Sequence, residues 1–204
     1  MSPAPTTLLL IRHGQIRANV EGRWHGATDS PLTAAGRRQA NALARHLATR
    51  FTGIEAVYSS PMQRCRHTAN ALAAALARPV VTDDDLREYA IGELEDTPYR
   101  TLAEEHDFFR LIGDDPDYAP PGGDSLRDVA RRIVPALERI HAEHAGARHV
   151  VIVSHGAALA IALAALLDRD PARWNQYPIA NCSITELLLE PEPLLGAINR
   201  IEHL

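Results

Sequence analysis

Short apolar runs alternate along this chain with longer stretches in which apolar positions recur every three or four residues. The apolar runs predict buried strands, and the longer stretches have the spacing of helices with one buried face. Strands are predicted at 8–11, 54–59, 79–82, 149–153 and 184–189, and helices at about 34–49, 60–77, 99–106, 124–140 and 157–167. This alternation predicts an α/β fold, a three-layer α/β/α sandwich with a mostly parallel central sheet.

Capping residues and prolines refine the predicted boundaries. Thr33 is a predicted N-cap, and Ser60-Pro61 is a typical helix start, with serine at the N-cap and proline at the first helical position. The long helix starts at Asp124 or Ser125 and contains Pro135, which should kink it. His141 and His144 then fall on its last turns, where we expect solvated side chains.

Two segments lack a regular pattern, and a third is predicted to close the sheet. Residues 15–26 are interpreted as an ordered loop, and the Pro, Gly and Asp content of 113–123 excludes regular structure there. We expect one domain over 1–204, with a lid or insertion at about 97–123. A run at 197–201 predicts a closing strand, which pairs with 184–189 as an antiparallel hairpin at the sheet edge and is a candidate contact for a homodimer.

Composition narrows the classes of partner. The 204 residues carry a formal net charge of −5, so neither nucleic acid nor an anionic membrane surface is an expected partner. The two cysteines, Cys65 and Cys182, fit no metal spacing and no disulfide framework, which favours a reducing, cytoplasmic setting. Residues 1–6 lack the charged start and apolar run of a signal peptide, and we expect none.

Reactive side chains follow three of the predicted strands. The first strand ends in Arg12-His13-Gly14, another ends in His155-Gly156, and a third is followed closely by Arg64. Because the carboxyl ends of parallel strands meet at one edge, we expect two arginines and two histidines around one point. Such a set suits a tetrahedral dianion, since guanidinium groups form paired charge-assisted hydrogen bonds to phosphate oxygens.

These residue types suggest phosphoryl transfer. A histidine imidazole can attack phosphorus while arginines stabilise the charge of the transition state. A carboxylic acid would protonate the leaving oxygen; Glu88 is a candidate, but Glu93, Glu95 and Asp96 are equally available.

The 15–26 segment supplies further candidates for substrate contact. These are Asn19, Arg23 and Trp24; the aromatic Tyr89, Phe108 and Phe109 are other candidate walls of the pocket, although aromatic residues in such places are as often packing.

Rival chemistries fail specific tests. A phosphatase loop built on Cys65 would need arginine at 71, which is Ala71, and a nucleophile elbow at Ser154 would need glycine at 152, which is Ile152. The sequence contains no Walker loop. A metal hydrolase that uses His13, His155 and scattered acids stays open, although the sequence shows no dense cluster of ligands.

The chain resembles the histidine phosphatase superfamily, also called the phosphoglycerate mutase-like family. The resemblance runs from about residue 8 to 189 and rests on seven motifs: Leu-Ile-Arg-His-Gly-Gln with Asn19, Asp29-Ser30-Pro31-Leu32-Thr33 with Gly36, Ser59-Ser60-Pro61 with 64–69, Leu86-Arg87-Glu88, 121–125, Val153-Ser154-His155-Gly156, and 181–183.

The resemblance implies a role for each site residue. His13 would be the phosphorylated nucleophile and Glu88 the proton donor, which the residues alone did not select. Arg12, Arg64, His155 and Gly156 would form the phosphate pocket, with Asn19 as an added contact. No metal and no cofactor are implied.

Three departures from the family pattern concern Ile16, Asp96 and Asp124, which stand where threonine, glycine and glutamate are more common. None affects the four central residues. The region after the proton donor is short and acidic, which favours hydrolysis of a small phosphorylated metabolite by a phosphomonoesterase. Phosphoglycerate mutase is the alternative, and a catalytically silent phosphate-binding member is a third.

Overall fold

The computed structural model describes residues 5–204 and contains one six-stranded sheet. The strands lie in the order β3-β2-β4-β1-β5-β6, and the first four are mutually parallel. Strand β5 is antiparallel to β1, and β6 is antiparallel to β5. Their bounds are β1 Thr7–Arg12, β2 Ile54–Ser59, β3 Val80–Thr82, β4 His149–Ser154, β5 Ile184–Leu188 and β6 Leu194–Leu195.

Helices cover both faces of the sheet, as the alternation of elements predicted. Their bounds are α1 Arg17–Glu21, α2 Ala34–Arg50, α3 Gln63–Leu76, α4 Tyr99–Glu104, α5 Phe108–Asp114, α6 Leu126–Glu143 and α7 Gly156–Leu167. Leu8 and Leu10 of β1 belong to a core with residues of α6 and α7, whereas Leu9 and Ile11 pack with residues of α2 and α3. Alternate side chains of a strand face opposite sides, so a strand in the middle layer is apolar on both. The predicted α/β/α sandwich is therefore confirmed.

Helix starts agree with the capping signals, with one exception. The Thr33 hydroxyl accepts a hydrogen bond from the Gly36 amide at 2.9 Å, and Ser125 forms a capping box with Asp128. Helix α3 begins at Gln63 instead of at Pro61. The Ser60 hydroxyl, predicted to cap this helix, instead lies 2.8 Å from Nε2 of His155, so the chain extends for two more residues before it coils.

Two segments predicted to be irregular contain short helices. In 15–26, the Ile16 amide donates to Oδ1 of Asn19 at 3.1 Å and starts α1, which ends at Gly22 with φ of 65°. Helix α5 runs to Asp114 and so enters the segment assigned as loop. Both helices are too short to show a periodicity in the sequence.

The hairpin at the sheet edge is confirmed, but the position predicted for its second strand is wrong. The second strand is β6, and residues 197–201 contribute to the sheet only an isolated bridge from Arg200 to Ile184. Asn199 has φ of 51°, and its amide nitrogen donates to the Thr185 hydroxyl at 3.0 Å, which breaks the extended chain. The homodimer stays a prediction, although the strand at 197–201 that was its candidate contact does not form.

The end of α6 also differs from expectation. His141 is 6% exposed because it lies four residues after Leu137, on the buried face of the helix. His144 packs against the Tyr58 ring with centroids 5.7 Å apart. The prediction that both histidines are solvated is therefore wrong.

The expectation that there is no signal peptide concerned residues 1–6. Of these, residues 1–4 lie outside the described residues. Over 5–204, no helix has both the length and the apolar character needed to cross a membrane.

Candidate active site

The ends of β1 and β4 lie side by side and bring two histidines together. Arg12 is in register with Ser154, and the His13 amide donates to the Ser154 carbonyl at 3.0 Å. The rings of His13 and His155 are consequently neighbours, with centroids 5.3 Å apart and planes at 66°. This is the convergence expected from parallel strands that end in histidine.

A cavity of about 220 Å³ opens at this edge. Seven of the predicted site residues line it, namely Arg12, His13, Asn19, Arg23, Trp24, Glu88 and Gly156. His25, Tyr99, Phe109 and Trp174 line it as well. Arg64 and His155 do not line the cavity; both are fully buried behind it. Their direct contact with phosphate stays a prediction.

His13 is held in one orientation and one tautomer. It is 3% exposed, and its Nδ1 lies 2.8 Å from the Gly14 carbonyl. Burial lowers the pKa of His13 well below its usual value, and the positive charges of Arg64 and Arg12 lower it further. The imidazole is therefore neutral near pH 7; Nδ1–H donates to the carbonyl, and Nε2 keeps its lone pair.

The turn that follows His13 is fixed by a close backbone approach. The Gly14 amide donates to the Thr68 hydroxyl at 3.0 Å. A Cβ atom on Gly14 would lie 2.6 Å from the Gly36 carbonyl oxygen, so only glycine fits between β1 and the start of α2. This contact positions the candidate nucleophile against two helices.

His155 is neutral for a related reason. Nε of Arg64 donates to its Nδ1 at 3.2 Å, so the ring proton lies on Nε2, which donates to the Ser60 hydroxyl at 2.8 Å. Burial, followed by the positive charge of Arg64, holds the pKa of His155 well below its usual value.

The two buried histidines make stability depend on pH. Because both pKa values are lower in the folded protein than in the unfolded chain, the unfolded chain binds more protons once the pH falls below about 6.5. Stability is therefore fully present above pH 6.5 and is lost as the pH falls towards the folded pKa values. We expect a loss of as much as about 1.4 kcal/mol per pH unit for each histidine, measured by urea unfolding at pH 7.5, 6.5 and 5.5.

A substitution isolates this contribution. His155→Asn should reduce the slope of stability against pH, whereas the exposed His106→Asn should leave it unchanged. Equal slopes for all three proteins would contradict the assignment of neutral, buried histidines.

Arg64 connects His155 to the loop at 25–28. Besides its bond to His155, it donates to the carbonyls of Thr28 at 2.8 Å, Gly26 at 2.8 Å and His25 at 3.0 Å. Its side chain is fully buried and lies 3.6 Å from the carboxylate of Asp29. The arginine therefore positions one wall of the cavity and the second histidine at the same time.

Glu95 holds the same loop from the other side. Its carboxylate accepts from the amides of Gly26, Ala27 and Thr28 at 2.9–3.2 Å and from the Ile91 amide at 3.0 Å. From the sequence, Glu95 was one of several candidate acids, and its role as an anchor of this loop was not predicted. The next residue, Asp96, has φ of 60°, which explains why glycine is more common at its position.

Glu88 is the candidate acid that lines the cavity. Its carboxylate accepts from the amides of Tyr89 at 2.9 Å, Ala158 at 2.7 Å and Ala157 at 3.3 Å, the last two in the first turn of α7. These bonds fix the carboxylate in the wall of the cavity. Geometry thus separates Glu88 from Glu95, which the sequence alone did not.

Gly156 and Arg12 pack against each other in the lining of the cavity. A Cβ atom on Gly156 would lie 3.2 Å from Cζ of Arg12, so glycine allows the guanidinium to lie against the start of α7. Nη1 of Arg12 donates to the Ile179 carbonyl at 2.8 Å, and its Nε has no hydrogen-bond partner among residues 5–204.

Asn19 is oriented by a second asparagine. Oδ1 of Asn19 accepts from Nδ2 of Asn181 at 3.1 Å as well as from the Ile16 amide, so its NH₂ group is free to face the cavity. Nδ2 of Asn181 also donates to the His13 carbonyl at 2.9 Å. Asn181 belongs to one of the family motifs, but its position in the sequence does not predict this role.

His25 lines the cavity and was also missed. Its side chain is 10% exposed, and neither ring nitrogen is hydrogen bonded within the described part of the chain. The Asp96 carboxylate lies 3.4 Å from Nδ1. Its place directly after Arg23 and Trp24, two predicted contacts, was the available signal.

Arg23 and Trp24 differ in what they present to the cavity. Nη1 of Arg23 donates to the Asp96 carbonyl at 2.6 Å, and its Nε lies 3.5 Å from the Glu21 carboxylate. Trp24 is 5% exposed, with Nε1 donating to the Tyr89 carbonyl at 3.2 Å.

Known proteins resemble this chain over most of its length. A family profile described as the histidine phosphatase superfamily (branch 1) matches residues 8–195. A bifunctional protein of Mycobacterium tuberculosis is 41% identical over 203 residues, covering 98% of this chain and 55% of that protein. The chain thus spans about half the length of this relative. A probable phosphoglycerate mutase of Yersinia enterocolitica is 34% identical over 93% of this chain and 88% of its own length.

Solved structures give the same result. A mycobacterial glucosyl-3-phosphoglycerate phosphatase in complex with VO₃ has a TM-score of 0.86 and 32% identity, over 97% of this chain and 100% of that one. A phosphoserine phosphatase of Entamoeba histolytica with bound 3-phosphoglyceric acid has a TM-score of 0.86 and 27% identity, over 97% and 98%. Together with the profile match over residues 8–195, these likenesses show that the chain belongs to branch 1 of the histidine phosphatase superfamily.

Proposed function

We propose that this protein is a phosphomonoesterase that hydrolyses a small phosphorylated metabolite through a phosphohistidine on His13, with Glu88 as the proton donor. The observation that supports this most directly is the state of His13. Its Nδ1–H is bound to the Gly14 carbonyl and its pKa is low, so Nε2 has a free lone pair in a cavity that Glu88 also lines.

The reaction has two steps. In the first, Nε2 of His13 attacks phosphorus, the P–O bond to the alcohol breaks, and the leaving oxygen takes a proton from Glu88. In the second, Glu88 accepts a proton from water, the water oxygen bonds to phosphorus, and the P–N bond breaks to release phosphate. Arg12 and Asn19 supply donors for the phosphoryl oxygens, and the buried guanidinium of Arg64 adds positive charge. Direct contact of the phosphate with Arg64 and His155 requires these two side chains to exchange their present hydrogen bonds.

Phosphoglycerate mutase is the alternative, favoured by the relative from Yersinia enterocolitica. A mutase returns the phosphoryl group to a bound phosphoglycerate, whereas a phosphatase passes it to water. Arg12, His13 and Glu88 would serve both reactions equally, so the fate of the phosphoryl group decides between them.

Two substrates and one trapping experiment test the proposal. The protein is incubated, with and without EDTA, with p-nitrophenyl phosphate and with 3-phosphoglycerate. We expect release of phosphate in both conditions and, after rapid quenching, an acid-labile, alkali-stable phosphoprotein. Rapid formation of 2-phosphoglycerate would support the mutase instead. If the protein shows no hydrolysis and forms no phosphoprotein, it is the catalytically silent family member. Loss of activity in EDTA would contradict metal independence.

The metabolite itself requires a wider screen. Sugar phosphates, phosphoglycerates, nucleotides and cobalamin-precursor phosphates cover the classes that fit a small phosphate monoester, with kcat/KM as the measure.

A further inference from the structure

Two chemically different groups of residues line the cavity. Arg12, His13, Asn19 and Gly156 form the group called here the polar end. Trp24, Tyr99, Phe109 and Trp174 are packed together and form the group called here the aromatic wall. A substrate whose phosphate lies at the polar end therefore directs its alcohol part towards the aromatic wall.

The aromatic wall is built from separate segments that converge on Trp24. Tyr99 starts α4, Phe109 lies in α5, and Trp174 lies in the 3₁₀ helix Pro171–Gln176. Their ring centroids lie 6.0, 6.4 and 6.2 Å from that of Trp24. These distances are typical of aromatic contacts, so the wall is packed before any substrate arrives.

Buried rings fix Trp24 from behind. Tyr89 and Phe108, both fully buried, lie 5.5 and 5.6 Å from Trp24 in near-perpendicular arrangements. In front of it, Tyr99 is 40% exposed, and Phe109 and Trp174 are partly exposed. The exposed ring surfaces thus face the cavity on a rigid support, which is the usual character of a site for an apolar group.

Positive charge is scarce on this side of the cavity. Apart from Arg12 and the histidines, Arg23 is the one basic side chain among its lining residues. Its guanidinium already donates to the Asp96 carbonyl and lies near the Glu21 carboxylate. A phosphorylated acid such as 3-phosphoglycerate would have to place its carboxylate against rings or compete for this arginine.

From this arrangement we propose that the substrate is a phosphate monoester whose alcohol carries a flat apolar ring, and not a short phosphorylated acid. The proposal rests on the phosphomonoesterase function above and specifies its substrate class. The phosphate binds at the polar end, and the ring packs against Tyr99, Phe109 and Trp174.

Substrates with similar leaving groups provide the test. 2-Phenylethyl phosphate, ethyl phosphate and 3-phosphoglycerate are all esters of primary alcohols, so differences in kcat/KM report mainly on binding of the alcohol part. We expect 2-phenylethyl phosphate to exceed both others by roughly tenfold or more, since several aromatic contacts contribute together. A kcat/KM for 3-phosphoglycerate equal to or above that for 2-phenylethyl phosphate would overturn the proposal.

Variants locate the preference in the aromatic wall. Phe109→Leu and Trp174→Leu should each lower kcat/KM for 2-phenylethyl phosphate by roughly twofold to tenfold and lower that for ethyl phosphate by a clearly smaller factor. Phe51→Leu is the matched control, because Phe51 packs against His149 at the amino end of β4, whereas the cavity lies at the carboxyl ends of the strands. An equal loss for both substrates in the wall variants would contradict the assignment.

A binding measurement separates the two proposals. Affinities for benzylphosphonate and 3-phosphonopropionate are compared by calorimetry, without turnover. Tighter binding of benzylphosphonate, weakened by Trp174→Leu, supports the aromatic wall even in a protein that hydrolyses nothing, in which case only the phosphatase function fails. Hydrolysis without any preference for the ring would leave that function in place and overturn the substrate class.

Discussion

His13→Asn should lower kcat for phosphate ester hydrolysis by roughly 10⁴–10⁶-fold, the range seen when a catalytic nucleophile is removed from a preorganised site. Asparagine is chosen because its NH₂ group can still donate to the Gly14 carbonyl, which is 2.8 Å from Nδ1 in the native protein. The variant therefore keeps the local fold and loses the one atom, Nε2, that would bond to phosphorus.

The measurement is kcat with p-nitrophenyl phosphate, together with the yield of acid-labile phosphoprotein, which should fall to background. His106→Asn, at an exposed site, is the matched control and should behave as wild type in both. A His13→Asn variant with kcat within tenfold of wild type would show that water, and not this imidazole, attacks phosphorus.

The position of His13 could be predicted from sequence because it follows from the hydrophobic pattern. Leu8 to Ile11 are fully buried, and an apolar run this short is typical of a strand in the middle layer, which must end near Arg12-His13-Gly14. Strand β4 repeats the pattern, and His155 follows its last residue. Parallel pairing then brings the two histidines to one edge without further information.

The choice between carboxylates could not be made in this way. Glu88 and Glu95 both lie in a short polar stretch without regular periodicity, and both accept several backbone amides. What distinguishes them is their partners: Glu88 is bound at the start of α7, whereas Glu95 is bound to a loop about seventy residues earlier in the chain. Such long-range pairings leave no trace in local spacing, and only the resemblance to a family selected Glu88.

The role of Arg64 was predicted only in part. Its place soon after a strand suggested that it binds an anion at the carboxyl edge of the sheet. In the folded protein, however, its donors are directed to three carbonyls and to His155. The arginine thus has a structural role that the sequence did not predict, in addition to any contact with phosphate.

Arg64→Lys should therefore be severely damaging although it keeps the positive charge. Lysine has no planar fork of donors, so it cannot bind the carbonyls of His25, Gly26 and Thr28 and Nδ1 of His155 together. Each buried carbonyl left without a donor costs about 1–3 kcal/mol. We expect the free energy of unfolding to fall by roughly 2–5 kcal/mol, measured in urea at pH 7.5.

The same substitution should impair the reaction where the protein is still folded. Loss of the bond to Nδ1 frees the His155 ring to rotate, and the loop that carries His25 loses its anchor. We expect kcat/KM to fall by roughly 10²-fold or more, as for removal of a preorganised donor. Arg66→Lys, exposed on the same helix, is the control and should change neither stability nor kcat/KM. If Arg64→Lys retained both, positive charge alone would account for the role of Arg64, because the fork of hydrogen bonds would then contribute nothing measurable.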